Sequence, residues 1–372
     1  MVGMSIFVSR PALRWLVPVA VTVAVVGGGA AAKTIAASAE PSLPERSAAQ
    51  LLVDLQTANL SGLSGTVRTS ADLGLPELPD NVAPGAPDIT GLISGSRTLR
   101  VWYSGPDKMR VALLGTLGES DIIHNGRDMW QWDSRSQKAV HRQLPAEGTA
   151  RPDNPNLPKS PQEAADLALK AVDPTTVVST GTNARVAGRT AYELILAPRD
   201  TASLIGQVRL AVDSKQHVPL RVQVFAKGRA EAAYEVAFTQ ISFDRPDDAQ
   251  FVFNPPPGTE VTEGSSEVPG DLPKDPKDAP ANAEKPKIVG TGWTSVVVAK
   301  MPPADASRPA DPTKPDGAGS PANMFLERLP RVSGDWGSGR LLSGRLFSVL
   351  LTDDGRVLAG AVAPEKLYEV AR

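Results

Sequence analysis

The sequence predicts a mainly β protein of the α+β class: a curved antiparallel sheet with helices on it, followed by a small C-terminal α+β unit. Apolar and polar residues alternate with period two along much of the chain, as in VRLAVD (Val208–Asp213). Turn-forming pairs such as Asn125-Gly126 and Asp354-Gly355 separate alternating runs. One side of each strand is apolar and the other polar, which is typical of an antiparallel sheet covered on one face.

The N-terminal residues 1–44 are predicted to be an export signal or a membrane anchor. Arg10 and Arg14 precede the uncharged run Trp15–Ala32, a charge order that keeps the cationic end inside the cell. Ala37-Ser38-Ala39 offers a cleavage site near Ala39, but the run at 15–32 is also close to the lower length limit of a spanning helix, ~17 residues. In both cases the rest of the chain is expected to be extracytoplasmic.

Residues 45–262 are predicted to form the main β unit. Helical spacing over 45–60 predicts a first helix, and Ser160-Pro161-Gln162-Glu163 has the pattern of a capped helix start, with a helix to about Val172. The predicted strands are Gly65–Ala71, Arg97–Ser104, Lys108–Leu114, Asp121–His124, Met129–Asp133, Lys138–Leu144, Thr176–Asn183, Thr190–Ala197, Gly206–Asp213, Val218–Ala226 and Ala232–Phe243.

The composition changes after residue 262. Residues 263–287, rich in Pro, Lys and Asp, predict a solvated linker, and residues 288–372 predict a small C-terminal unit with a disordered insert at 301–321. Within that unit we expect a strand at Trp293–Lys300, a hairpin of Leu346–Thr352 with Arg356–Val362, and a terminal helix that begins near Pro364.

Composition and motifs exclude several function classes. The net charge of -2 does not indicate nucleic-acid binding, and without cysteine there are no disulfides, Cys-ligated metals or lipidated N-terminal cysteine. His124, His141 and His217 lie on separate strands or turns without ligand-like spacing. Ser61–Gly65 lacks the context of a nucleophile elbow, Ser333–Arg340 that of a phosphate loop, and Asp353-Asp354 is typical of a turn. The sequence therefore predicts no enzyme and no cofactor.

Arg100–Ser134 carries a family resemblance. Its strand, Pro-containing turn and apolar–Asn-Gly–Met-Trp-x-Trp hairpin resemble the lipoprotein carrier LolA and its relatives. Phe243–Val261 resembles the Phe-x-Phe-x-Pro-Pro-x-Gly ending of that family, with Phe251, Phe253, Pro255, Pro256 and Gly258 in register. The resemblance covers about residues 45–262. One departure is Ser104-Gly105 before Pro106, where LolA carries an arginine that fastens its lid.

The resemblance implies a half-barrel with a helical lid over a hydrophobic cavity, in a non-catalytic protein that holds acyl chains for transport or sensing. The expected partners are lipid or lipoprotein acyl chains. An added C-terminal unit is the plan of RseB/MucB-type regulators, so the alternative is a regulator that binds a membrane anti-sigma factor. The Ala-, Pro-, Arg- and Gly-rich chain resembles actinobacterial exported proteins.

Shared strand parity, together with the resemblance, predicts the cavity lining. Trp130 and Trp132 are on the same side of one strand and are expected to floor the cavity. A packed core gives the same alternation and stays open as an alternative. The predicted lining residues are Leu99, Val101, Tyr103, Met109, Val111, Leu113, Trp130, Trp132, Leu194, Leu196, Val208, Leu210, Leu220, Val222, Tyr234, Val236 and Phe238.

Overall fold

A computed structural model describes residues 43–75, 95–115, 118–144, 174–264, 286–300 and 321–372. Within these residues the chain forms one sheet of thirteen strands and a second sheet of six. The mainly β class is confirmed, with a large curved open sheet and a separate small one. Several predicted segments lie outside the described residues: residues 1–42 of the N-terminal segment, the helix at 160–172, most of the linker, and residues 301–320 of the insert.

The strands of the large sheet are β1 Leu63–Ala71, β2 Gly95–Tyr103, β3 Lys108–Leu114, β4 Glu119–Asn125, β5 Asp128–Asp133, β6 Lys138–Gln143, β7 Thr176–Thr180, β8 Ala184–Val186, β9 Arg189–Pro198, β10 Ile205–Asp213, β11 Pro219–Ala226, β12 Ala232–Ser242 and β13 Glu260–Glu263. Their order in the sheet is β13-β6-β5-β4-β3-β2-β1-β12-β11-β10-β9-β7, and β8 pairs with β9. All pairs are antiparallel except β13 with β6. Each strand predicted between residues 65 and 243 is present, with ends shifted by a few residues.

The β4–β5 hairpin is present, but its turn differs from the prediction by one residue. Asn125 pairs with Asp128, so the two loop residues are Gly126 and Arg127 rather than Asn125 and Gly126. Gly126 has φ 64°, a left-handed conformation that costs glycine little. Asn125 instead ends β4.

Helix α1 (Ala48–Thr57) confirms the first predicted helix. Ser47 and Gln50 form a reciprocal capping box: the Ser47 hydroxyl accepts from the Gln50 amide at 3.2 Å, and the Gln50 side chain accepts from the Ser47 amide at 2.9 Å. Leu51 is fully buried and packs on Leu194 and Leu210. The helix therefore covers the part of the large sheet formed by β9, β10 and β11.

The strands of the small sheet are β14 Lys287–Val289, β15 Val296–Lys300, β16 Arg331–Gly334, β17 Gly337–Ser343, β18 Ser348–Thr352 and β19 Arg356–Gly360, with helices α2 Pro321–Arg328 and α3 Pro364–Ala371. Their order in the sheet is β14-β15-β19-β18-β17-β16. Leu367 of α3 is fully buried in the core with Leu350 and Leu358. The Asp354-Gly355 hairpin is confirmed, whereas Leu346, predicted to start a strand, lies in the loop before β18.

The stretch Ser333–Arg340 is a hairpin of β16 and β17, which the sequence analysis did not predict. Trp336 at its turn is buried and stacks on Tyr368 of α3, with ring centroids 5.5 Å apart. Gly334 and Gly337 flank its two-residue turn, and Gly337 has φ 112°.

Candidate functional site

One face of the large sheet, here called the apolar face, is continuous across its central strands. Leu113 pairs with Leu99, which pairs with Val67, which pairs with Phe238 of β12. On the other side of β12, Val236 pairs with Val222, which pairs with Leu210, which pairs with Leu194. Because directly paired residues share a face, these ladders place the predicted lining residues on the apolar face except Trp130, Trp132 and Leu220, which lies at a register shift of β11.

Trp130 and Trp132 lie on the opposite face, and the prediction that they floor the cavity with the other lining residues is wrong in this respect. Met109 pairs with His124, which pairs with Met129, so β5 presents Met129 and Gln131 to the apolar face. Trp130 instead pairs with Ile123 and Trp132 with Asp121. The two tryptophans do share a side of β5, as expected, but it is the side away from Leu99 and Val111.

The tail that follows β12 covers the opposite face. Phe253 packs against Trp130 and Trp132, with ring centroids at 5.1 and 5.9 Å, and Phe251 is 1% exposed. The Phe-x-Phe-x-Pro-Pro-x-Gly ending therefore serves as a clasp over the aromatic side of β4 and β5. This clasp explains the tryptophan pair without a ligand.

A buried ion pair lies beneath the same clasp. Arg110 Nη2 is 2.5 Å from Asp121 Oδ2, and its guanidinium lies 5.3 Å from the ring centre of Trp102. Burial raises the pKa of Asp121 to about 6, against the opposing effect of Arg110. Arg110 also donates to the Gln250 carbonyl at 3.5 Å, which connects the pair to the tail. The charges belong to the clasp and lie away from the apolar face.

Coverage of the apolar face is uneven. Leu99 and Leu194 are almost completely buried. Near the β2–β3 turn and on β4 and β5 the same face is half-buried and forms what we call the open strip, consisting of Val101, Met109, Val111, Ile122 and Met129. Ile122 and Met129 were not predicted, although their alternation with Ile123 and Trp130 would have identified them once the face of β4 was known.

Ser104, where the chain departs from the LolA pattern, is hydrogen-bonded to a residue that follows β12. Its hydroxyl accepts from Arg245 Nε at 2.9 Å, and Ser104 is 5% exposed. Arg245 follows β12 in the chain, and its side chain reaches the β2–β3 turn, where LolA carries an arginine before its proline. Sequence position alone did not indicate this contact, because the two residues are far apart in the chain.

A cleft of about 510 Å³ opens beside the start of α1 and is lined by residues such as Leu43, Arg46, Tyr192 and Glu193. None of the predicted lining residues borders it, so it is separate from the open strip. Among the described residues, no group of three or more His, Asp or Glu side chains is placed to hold a metal ion. No helix in the described ranges is long and apolar enough to cross a membrane.

Residues 133–258 match the family model described as the MucB/RseB N-terminal domain. This match bears out the predicted resemblance to RseB-type proteins over these residues. The match runs from the end of β5 to the proline-rich tail and therefore includes Phe251 and Phe253 of the clasp and strands β6 to β12, whereas β1 to β4 and the open strip lie before it. No curated protein matches the chain in sequence.

Solved structures resemble this chain at low identity. The MucA/MucB complex of Pseudomonas aeruginosa is 15% identical, with 87% of this chain and 96% of that chain covered and a TM-score of 0.44. A structure of MucB is 14% identical, with coverage of 87% and 94% and a TM-score of 0.40. A LolA superfamily protein from Nitrosomonas europaea is 11% identical, with coverage of 56% and 99% and a TM-score of 0.22.

Proposed function

We propose that the chain is an extracytoplasmic binding protein that holds acyl chains of a lipid or lipoprotein on the apolar face, for transport or sensing. The observation that carries this proposal is the open strip, a half-buried apolar surface continuous with the buried ladders of β1, β2 and β3. Acyl chains suit such a surface because each buried CH₂ contributes ~0.8 kcal/mol. The match of residues 133–258 to the MucB/RseB N-terminal domain supports the same class of function.

The proposal is tested by native mass spectrometry of the full chain purified from its own membranes, followed by titration with a fluorescent fatty acid. We expect bound lipid in the first experiment and saturable binding in the second. Val111→Asp places a charge in the open strip and should weaken binding at least tenfold. The matched control is Val252→Asp, because Val252 is 54% exposed on the tail and lies outside the strip. Equal binding by the two variants would contradict the proposal.

A second candidate function is a regulator that binds a membrane anti-sigma factor. The observation that favours it is the small sheet, whose face away from α3 carries half-buried Val349, Leu351 and Val357 together with exposed Val297. A carrier needs no such second unit. Crosslinking in native membranes should then capture one single-span membrane protein, and Val297→Asp with Val349→Asp should abolish that crosslink without changing fatty-acid binding.

Export and anchoring are part of the same proposal. The uncharged run at 15–32 and the Ala37-Ser38-Ala39 site are compatible with an anchored or a cleaved protein. N-terminal sequencing of the mature protein distinguishes them: a start at Glu40 indicates cleavage, and a start at or near Met1 indicates an anchor.

A further inference from the structure

The loop between β17 and β18, residues 344–347, reaches from the small sheet onto the apolar face of the large one; we call it the tip. Leu346 is 9% exposed and belongs to the same buried cluster as Leu99, Leu113, Tyr234 and Val236. Phe347 packs against this cluster as well. The tip therefore occupies ladder residues that were predicted to line the lipid cavity.

Polar contacts at the tip are few and mostly exposed. The Arg345 amide donates to the Leu73 carbonyl at 2.7 Å, and the Arg345 guanidinium pairs with the Asp72 carboxylate. Because both side chains of this ion pair are more than a third exposed, solvent screens it and it contributes little. The two apolar side chains therefore provide most of what holds the tip on the sheet.

A separate contact attaches the small unit at another position. Ser203 forms a β-bridge with Val362, and the Leu204 amide donates to the Ala361 carbonyl at 2.8 Å. Trp293 Nε1 also donates to the Thr176 hydroxyl at 2.7 Å. Thr176 shares the side of Val178 and Leu196, but it lies on the edge strand β7, six strands from β2, and the other groups of the large sheet lie in the bend before β10. The tip can therefore move off the apolar face while the small unit stays attached at β7 and at the bend before β10.

We propose that the tip is a built-in competitor of the bound acyl chain, so that lipid binding and seating of the tip exclude each other. This inference rests on the proposed function. It adds the way in which the small unit responds when lipid occupies the apolar face. A chain that enters along the open strip and extends over Leu99 and Leu113 meets Leu346 and Phe347. The lipid displaces them because it buries the same side chains of the sheet.

The competition sets a requirement on chain length. Burial of two large apolar side chains is matched by burial of roughly four to seven CH₂ groups. Short-chain acids contact the open strip alone and leave the tip seated. Chains of 16 carbons exceed the requirement and release it. The same protein thus distinguishes a long acyl chain from a short one without a polar contact to its headgroup.

The first experiment removes the two apolar side chains of the tip from the apolar face. In the full chain, Leu346→Ser with Phe347→Ser should tighten binding of a fluorescent 16-carbon fatty acid about tenfold, because no competitor remains. The matched control is Val261→Ser with Ile288→Ser, two exposed apolar residues of β13 and β14 that belong neither to the tip nor to the apolar face. Its affinity should equal that of the wild type. Weaker binding by the tip variant would make the tip part of the lipid site and would overturn the proposal.

The second experiment cross-links the tip to the large sheet and leaves Leu346 and Phe347 unchanged. Since the chain has no cysteine, Asp72→Cys with Arg345→Cys gives a unique pair that a short bis-maleimide can join. The joined protein should bind the 16-carbon probe at least tenfold more weakly than the same variant alkylated at each cysteine separately. Equal affinity of the two forms would refute the competition while leaving acyl binding in place. Failure of wild type, tip variant and alkylated protein alike to bind the probe would refute the proposed function itself.

Discussion

Trp130 stacks on His141 across β5 and β6, with ring centroids 4.3 Å apart and planes inclined by 24°. His141 also pairs in parallel with Glu263 of β13, the strand that leads out of the large sheet. The tryptophan pair is therefore built into the fastening of the tail and of the strand after it. Its role is to hold the clasp on the opposite face, and the apolar face is formed without it.

The first prediction follows from this placement. Trp130→Ala with Trp132→Ala should lower the free energy of unfolding by several kcal/mol, since Trp→Ala costs ~3–5 kcal/mol at a fully buried site and these two are half-buried. Affinity for the fluorescent fatty acid should change less than twofold in protein that remains folded. Chemical denaturation and fatty-acid titration of the same samples measure both quantities.

Quenching provides the control for this prediction. A brominated fatty acid should quench wild type and the Trp130→Phe/Trp132→Phe variant by the same absolute amount, because neither indole lies on the apolar face. Loss of the quenching in the phenylalanine variant would show that acyl chains reach the tryptophans.

The second prediction concerns pH and β13. Burial lowers the pKa of His141, but its hydrogen bonds with Asp128 at 3.0 Å and Glu263 at 3.1 Å outweigh this and raise the pKa above 6.5. A raised pKa in the folded state means that the stabilisation is fully present below about pH 6.5 and disappears as pH rises through the folded value. The stability of wild type relative to His141→Gln should therefore fall over that range.

Unfolding curves measured from pH 5 to 9 check this dependence. Asp128→Asn with Glu263→Gln retains the histidine and removes both carboxylates, so the pH-dependent part should disappear in it. Persistence of the slope in this double variant would assign it to other groups.

The third prediction concerns the turn after β10. Asp213 is 1% exposed; it accepts from Arg189 Nε at 2.5 Å and from the Gln216 amide at 2.7 Å. Burial opposes ionisation, but these hydrogen bonds lower the pKa of Asp213 below 3.8. Asp213→Ala leaves the Arg189 charge without its partner and should cost about 3–5 kcal/mol of unfolding free energy.

Because the folded-state pKa of Asp213 is depressed, its contribution is present above the unfolded pKa and is lost as pH falls through the folded value. Wild type should therefore lose stability more steeply than the variant below pH 4. Asp353→Asn is the matched control, since that carboxylate is 47% exposed and should leave the denaturation midpoint nearly unchanged. A similar midpoint for both variants would contradict this account.

The fourth prediction concerns the helix that covers the apolar face. Ser47→Ala removes one half of the capping box and should cost ~0.5–2 kcal/mol. A less stable α1 exposes Leu194 and Leu210 more often, so exchange of bound fatty acid should accelerate. Stopped-flow displacement measures the exchange rate. Ser47→Asp retains a capping acceptor and should behave as wild type; acceleration by both variants would show that the cap is irrelevant.

The sequence by itself determined the strands and the residues that share a side of each one. Period-two alternation fixes which residues of a strand go together, because successive side chains point to opposite faces. Turn chemistry placed the hairpins at Gly126 and Gly355 to within one residue. The family motifs indicated the fold of residues 45–262 and the proline-rich end of the domain. These signals are local, so a single chain displays them without its tertiary contacts.

Only the tertiary structure decided which side of β5 faces the apolar ladder. The relation depends on the register between β3 and β4, and a slip by one residue would turn every side chain of the next strand to the other face. It also decided that Phe253 covers the tryptophans, that Arg245 reaches Ser104, and that Leu346 packs in the same cluster as Leu99. Each of these contacts joins residues far apart in the chain. They form because burying apolar surface is favourable wherever the backbone brings it together, and sequence spacing does not encode that meeting.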